Sequence, residues 1–160
     1  MSKPSLSALV SLWRDTLIAD AAIAAYCTGT LGKAMTWYVG FDQKNPPSIA
    51  DCPFCVLIPI GTRPGIMESD FGWSVELDLG INDGTFSDYQ SKGATEMRGA
   101  HRIDELYNLC QDALDGIAAS KNISADMITY TINLDTFPLI LAQATIESRF
   151  SNTIGAEITL

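Results

Sequence analysis

The stretch Thr95 to Ala119, TEMRGAHRIDELYNLCQDALDGIAA, decides the reading of the fold. Ile103, Leu106, Tyr107, Cys110, Ala113, Leu114 and Ile117 recur at spacings of three and four, which places them on one stripe of a helix. Charged and polar residues, among them Glu96, Arg98, Arg102, Asp104, Glu105, Gln111, Asp112 and Asp115, fill most other positions. The helix therefore buries one face and keeps the other wet. Burying its large apolar members at roughly 1.5 to 3 kcal/mol each contributes on the order of 10 kcal/mol before ordering entropy is subtracted. That stripe needs a surface to cover, and nearly every other segment reads as a strand able to supply it.

Upstream, Phe71 to Asn82 alternates with Phe71, Trp73, Val75, Leu77, Leu79 and Ile81 on one face and Ser74, Glu76 and Asp78 on the other. Phe54 to Ile60 is a nearly continuous apolar run, which predicts a strand covered on both faces, with Pro59 restricting its far end to an edge or a terminus. Met35 to Val39 reads as a short strand, and the polar, Pro46-Pro47-containing segment Gly40 to Asp51 as a loop. Pro64-Gly65 marks a turn. At the start of the chain, Ser2 or Lys3 is expected to cap a helix with Pro4 in its first turn and a stripe of Leu6, Leu9, Val10, Trp13 and Leu17. An alanine-rich run, Asp20 to Tyr26, follows as a second helix or a bent continuation, ended by Gly29 in the left-handed conformation. Asn82 to Gly93 reads as a long exposed loop leading into the organising helix. Beyond that helix, Met127 to Leu134 and Ile140 to Phe150 alternate and are close enough for a hairpin, and Thr153 to Leu160 is one more alternating segment. Helix, strands, helix, strands in this order predict an α+β domain spanning residues 1–160. It has a mostly antiparallel mixed sheet, with an N-terminal helical segment and one long amphipathic helix on one face.

Composition narrows the function. Nineteen acidic residues against ten basic give a formal net charge of −9, which repels phosphate backbones and anionic membrane surfaces. No run reaches the ~18 apolar residues of a spanning helix and no secretory leader is evident, so the chain is expected in the cytosol when made. Cys27, Cys52, Cys55 and Cys110 are then expected as reduced core residues.

Chemistry-bearing patterns are few. Cys52-Pro-Phe-Cys55 has redox spacing, but it precedes an apolar strand instead of opening a helix whose dipole would stabilise a thiolate. It lacks a second close-spaced pair to complete a zinc site with Cys27, Cys110 or His101. His101, the only histidine, has Asp104 and Glu105 three and four residues on, within reach to orient its ring, yet no nucleophile elbow accompanies it. Asp78, Asp83 and Asp88 do not have calcium-loop spacing and read as turn and surface residues. No phosphate-cradling glycine loop is present. An enzyme needs convergent titratable groups; without them the chain reads as a binding or assembly protein with no catalytic residue, cofactor or metal.

Several segments in order carry a family likeness: Ala19-Asp-Ala-Ala-Ile-Ala-Ala25, Asp51-Cys-Pro-Phe-Cys-Val-Leu-Ile58, Ser74-Val-Glu-Leu-Asp-Leu-Gly-Ile-Asn82, the amphipathic helix and the final antiparallel strands. Together they resemble the tail-terminator or tail-completion proteins of long-tailed bacteriophages. The cysteines around Pro53 and the long loops at 40–51 and 82–93 depart from that pattern. The resemblance implies a non-enzymatic subunit that closes a homohexameric ring on the last ring of the tail tube, stops its polymerisation and helps join tail to head. The implied partners are the tail tube protein, head-tail connector proteins and copies of the chain itself. DNA would pass through the ring without specific binding, acidic charge keeping phosphate contacts away. The implied location is the host cytoplasm during assembly and then the virion tail. Arg63, Met67, Asp83, Phe86 and Tyr89, on loops and strand ends, are the candidate ring contacts, unless Phe86 and Tyr89 fold back onto the core. A connector or minor tail component is a neighbouring reading. The alternative of another class is a small thiol-disulfide oxidoreductase using Cys52 and Cys55.

Overall fold

The computed structural model describes residues 5–63, 72–88, 91–121 and 123–149, with only the backbone of Arg63. The expectations for Ser2, Lys3, Pro4, Pro64-Gly65, Phe71, Phe150 and the segment Thr153 to Leu160 lie outside the described residues.

Two short helices open the chain. α1 (Leu6–Ala19) is capped by Ser5, whose hydroxyl accepts from the Ala8 N–H at 3.1 Å. The cap is thus Ser5 and not the expected Ser2 or Lys3, because the side-chain oxygen must sit three residues before the amide it satisfies. Asp20 ends α1 in extended conformation and caps α2 (Ala21–Thr30), its Oδ1 accepting from the Ala22 and Ile23 amides at 2.9 Å each. That carboxylate is what makes the alanine-rich run a separate helix. Gly29 does not end it; the left-handed residue is Gly32, at φ 77°, after which the Lys33 amide turns back to the Cys27 carbonyl.

The sheet contains β1 (Thr36–Val39), β2 (Phe54–Arg63), β3 (Gly72–Asn82), β6 (Asp126–Asn133) and β7 (Leu139–Arg149) in the order β1-β2-β3-β7-β6. Among the described strands only β1 and β2 run parallel. A 3₁₀ turn, Ile49–Asp51, precedes β2. β1 flanks β2 only as far as Leu57, so Pro59 lies where one side of β2 has no neighbour, and its missing N–H costs no ladder bond. The expected strand-edge role of Pro59 holds.

β3 alternates as its sequence demands. Trp73, Val75, Leu77, Leu79 and Ile81 are all buried in the main core with Cys55 and Leu57 of β2 and Ile140, Ala142, Ala144 and Ile146 of β7. α3 (Arg98–Lys121) covers β3 and β7, while α1 lies over β1 and β2 and α2 leans on α3. At about 1.5 Å per residue α3 is roughly 36 Å long, enough to span the sheet. Ile103, Leu106, Tyr107, Cys110 and Leu114 are buried as expected, with Ala113 and Ile117 at the margin of the core. The result is an α+β fold with all helices on one face of a mostly antiparallel sheet.

Two departures have clear physical causes. Thr95–Met97 is not the first turn of α3 but a strand, β5, paired antiparallel with β4 (Phe86–Asp88). The expected long loop therefore contains a hairpin, stitched by the Gly93 amide to Asp88 Oδ1 at 2.9 Å. In β6 a register shift between Met127 and Thr129 takes Ile128 out of the alternation, leaving it half exposed, while Tyr130 and Ile132 pack against the core.

Candidate functional site

The surface features that could serve assembly lie at one end of the sheet and on its helix-free face. At the end of β3, Asp83 is only 6% exposed. Its Oδ1 accepts from the Thr85 amide at 2.9 Å and the Thr85 hydroxyl at 2.6 Å, and its Oδ2 accepts from Arg102 Nη1 on α3 at 2.6 Å. Burial would raise the Asp83 carboxyl, but the Thr85 bonds and the Arg102 guanidinium outweigh it and hold it below the usual carboxylate range. The Asp83 amide donates to the Pro138 carbonyl at 3.0 Å and the Arg98 amide to the Thr85 carbonyl at 3.0 Å. Asp83 thus ties β3, the β6–β7 connection and the start of α3 together, its amide reaching Pro138 and its carboxylate Arg102. Gly99 allows this close approach, since a Cβ there would stand 2.9 Å from the Asp83 carbonyl and collide with Ile140.

This clamp holds out an apolar tip. Phe86 in β4 is 55% exposed and Phe137, between β6 and β7, 45%; their rings lie 5.8 Å apart at 48°. Leu134 beside them is also exposed.

The helix-free face carries a second, smaller cluster of Cys52, Phe54 and Val56, with Tyr38, Ile58, Leu139 and Leu141 against it. Phe54 lies directly over Gly80 of β3, its cross-strand partner, where a Cβ would run into the ring. Beside this cluster a groove of about 260 Å³ opens between the 41–47 loop and strands β3, β7 and β6. Asp78 stands in it, its carboxyl pushed up to about 6 by burial and by Glu76 two residues away.

The structure disposes of the sequence candidates unequally. Asp83 is an internal clamp and not the surface residue expected, because the turn folds its carboxylate under Arg102. Asp78 is likewise half buried instead of a surface residue. Phe86 projects outward and does not fold back onto the core. Arg63 ends β2, whereas Met67 and Tyr89 lie outside the described residues. His101, which reads from sequence as a solvated surface histidine, engages Glu96 at 2.7 Å through Nε2, since β5 presents Glu96 to the first turn of α3.

Cys55, within β2, packs into the main core, whereas Cys52, ahead of the strand, packs with Phe54 and Val56 in the smaller cluster on the opposite face. Burial pushes the Cys52 thiol up to about 11 and Cys55 well above its ordinary value. Four free, buried cysteines match the expectation of reduced core residues. Among the described residues no group of three metal-ligating side chains stands together, and no helix is long and apolar enough to cross a membrane.

Sequence reasoning missed Phe137, Leu134 and the Asp78 groove. The signal for Phe137 was available in Thr136-Phe-Pro138, an aromatic in a hairpin connection where burial is improbable. The groove had none, since it depends on how the 41–47 loop stands over the sheet.

No protein-family profile matches the sequence, nor does any curated protein. The fold is similar to that of a solved chain described as "Virion of native gene transfer agent (GTA) particle", with a TM-score of 0.60 and 14% identity, the match covering 94% of this chain and 100% of that one.

Proposed function

We propose that this chain is a non-enzymatic virion assembly protein of the tail-terminator or tail-completion type, the 160 residues acting as one unit. The observation that carries this reading is the fold it shares, over nearly the whole of both chains, with a component of a gene transfer agent virion. The order of sequence segments resembling tail terminators supports it independently. In this role the subunit joins copies of itself in a sixfold ring on the last ring of the tail tube, stops polymerisation and meets the head-tail connector. It assembles in the host cytoplasm, and DNA passes the ring with little adhesion because the net charge is −9.

Phe86 is the best placed of the candidate ring contacts. Two exposed aromatics in ring contact, Phe86 on the β4–β5 hairpin and Phe137 on the β6–β7 connection, form the kind of anchor that interfaces favour. Asp83 contributes by holding that hairpin in place, and Arg63, Met67 and Tyr89 remain candidate contacts. The oxidoreductase alternative loses its chemical basis: thiols on opposite faces of a sheet cannot close a disulfide with each other without backbone movement, and raised pKa values suppress the thiolate.

Electron microscopy of particles made by the source genome with this chain deleted tests the proposal. Overlong tails are the expected result for a terminator, and tails of normal length that fail to join heads would move the protein to the connector or minor tail role. Normal infectious particles would overturn both.

A further inference from the structure

We propose that the groove on the helix-free face is a receptor for an arginine side chain carried by a protein partner. Its shape and its charge both point there. The walls are apolar, formed by Phe41, Pro46 and Pro47 of the loop and by Phe54 and Leu141 of the sheet. A space of about 260 Å³ lies just below the range of small-molecule sites, and so suits one long side chain better than a cofactor. Apolar walls match the methylene stem of such a side chain.

The floor is anionic. Asp78 has one carboxylate oxygen, Oδ1, that is buried without a hydrogen-bond partner. Glu76 lies on the same face two residues away, and Gln143 of β7 donates Nε2 to Glu76 Oε1 at 2.7 Å. Among the described residues the groups that act on the Asp78 charge are Glu76, which opposes it, and the Gln143 amide, which eases it; no cation is among them. Keeping a carboxylate partly desolvated beside a second one is costly. A guanidinium supplied from outside would offset that cost and could bridge both acids with its fork of donors, which a lysine ammonium does less well. This inference does not depend on the tail reading, since it concerns only what the groove recognises.

The probe is butylguanidinium, an arginine side chain without its backbone, with butylurea as its neutral isostere. Amide NMR spectra of the full chain near neutral pH provide the readout. Butylguanidinium should produce saturable shifts confined to the groove, around Phe54, Asp78 and Leu141, and butylurea should bind about tenfold more weakly or worse. Asp78→Asn should abolish the difference between the two, and Asp112→Asn, on the exposed side of α3, should leave it unchanged. Equal binding of the two probes would overturn the proposal in favour of a purely apolar groove. Shifts spread over the acidic surface, or none at the groove, would overturn it outright. Tighter groove binding by spermidine or magnesium than by butylguanidinium would reassign the site to a small cation. Because Asp78→Asn removes a partly buried charge, it is not expected to endanger folding, and a native-like spectrum of that variant verifies this.

Discussion

The two faces of the sheet are built from the same strands, often from adjacent residues, and they behave as different materials. Trp73, Val75, Leu77, Leu79 and Ile81 point under the helices and are sealed. Ser74, Glu76 and Asp78, one step away on the same strand, face a surface that only a loop partly covers. On the covered face the apolar set is continuous across β2, β3 and β7. On the open face, apolar residues gather at β2 and one end of β7, and carboxylates and amides occupy the middle. The first face explains why the chain folds; the second is where a folded chain has something left to bind.

The largest expected effect breaks the covered face. Trp73→Ala should cost about 3 to 5 kcal/mol in chemical denaturation, whereas Glu76→Ala on the opposite face should stay within about 0.5 kcal/mol. Equal costs would abolish the distinction between the faces.

Next in size is the clamp at the end of the sheet. Asp83→Ala leaves Arg102 partly buried without its partner and should cost about 2 to 4 kcal/mol. The folded carboxyl lies below its unfolded value, so the unfolded chain binds the proton more readily. The stabilisation is therefore present above the ordinary carboxylate range and is lost as the pH falls through the folded pKa. Denaturation curves of the variant and the parent should converge in acid; a constant gap would mean that packing, not charge, is what Asp83 supplies.

Gly80→Ala sharpens the comparison from the open side. The added methyl meets the Phe54 ring, for an expected loss of about 1 to 3 kcal/mol. In a double-mutant cycle Phe54→Leu should recover part of it; strict additivity would show that the ring does not rest on the glycine.

Asp78→Asn should change stability in the opposite direction. Burial and the neighbouring Glu76 push the folded carboxyl up to about 6, above the ordinary carboxylate range, so here the folded state holds the proton more tightly. Stability contributed by the protonated group is complete below the unfolded pKa and is lost as the pH rises through about 6. The asparagine variant should consequently be about 1 kcal/mol more stable than the parent above that pH, a figure reduced for the group's partial exposure. The gain should disappear in acid. A variant less stable than the parent near neutrality would mean that the Gln143 hydrogen bond to the carboxylate outweighs the cost of its burial.

Phe86→Ser should have the smallest effect on the isolated chain, within about 0.5 kcal/mol, because the ring is largely in water. Under the proposed tail role its effect should appear in assembly, as loss of ring formation measured by analytical ultracentrifugation of the chain with a tail tube protein. Unimpaired assembly would remove Phe86 from the contact.

How much of this was legible beforehand depended on the range of the forces involved. The stripe of α3 and the alternation of β3 and β7 are local repeats that expose their buried faces in the residues themselves, and the apolar run Phe54–Ile60 announced a strand covered on both faces, which holds for Phe54 to Leu57 but not for Ile60, half exposed beyond the reach of β1. Misplaced boundaries came from competition between local signals: Ser5 outcompeted earlier caps because its oxygen met the Ala8 amide, and Glu96, at home in a helix, was held in β5 by pairing with Ser87. Asp83 illustrates the harder case. An Asn-Asp-Gly sequence is a turn on any reading, but whether its carboxylate faces water or an arginine nineteen residues later depends on where α3 docks.

The sequence by itself determined the class of fold, the face of each principal strand and helix that is buried, and the reduced state expected of its cysteines. Periodicity and charge act through neighbouring residues and need no knowledge of the rest of the chain. Tertiary structure alone decided that Asp83 is a clamp, that Phe86 and Phe137 meet at an exposed tip, and that Asp78 stands in a groove where the described residues supply no cation. Each of these depends on groups distant in sequence brought within a few ångströms, and burial, pairing and pKa are properties of that surrounding and not of the residue.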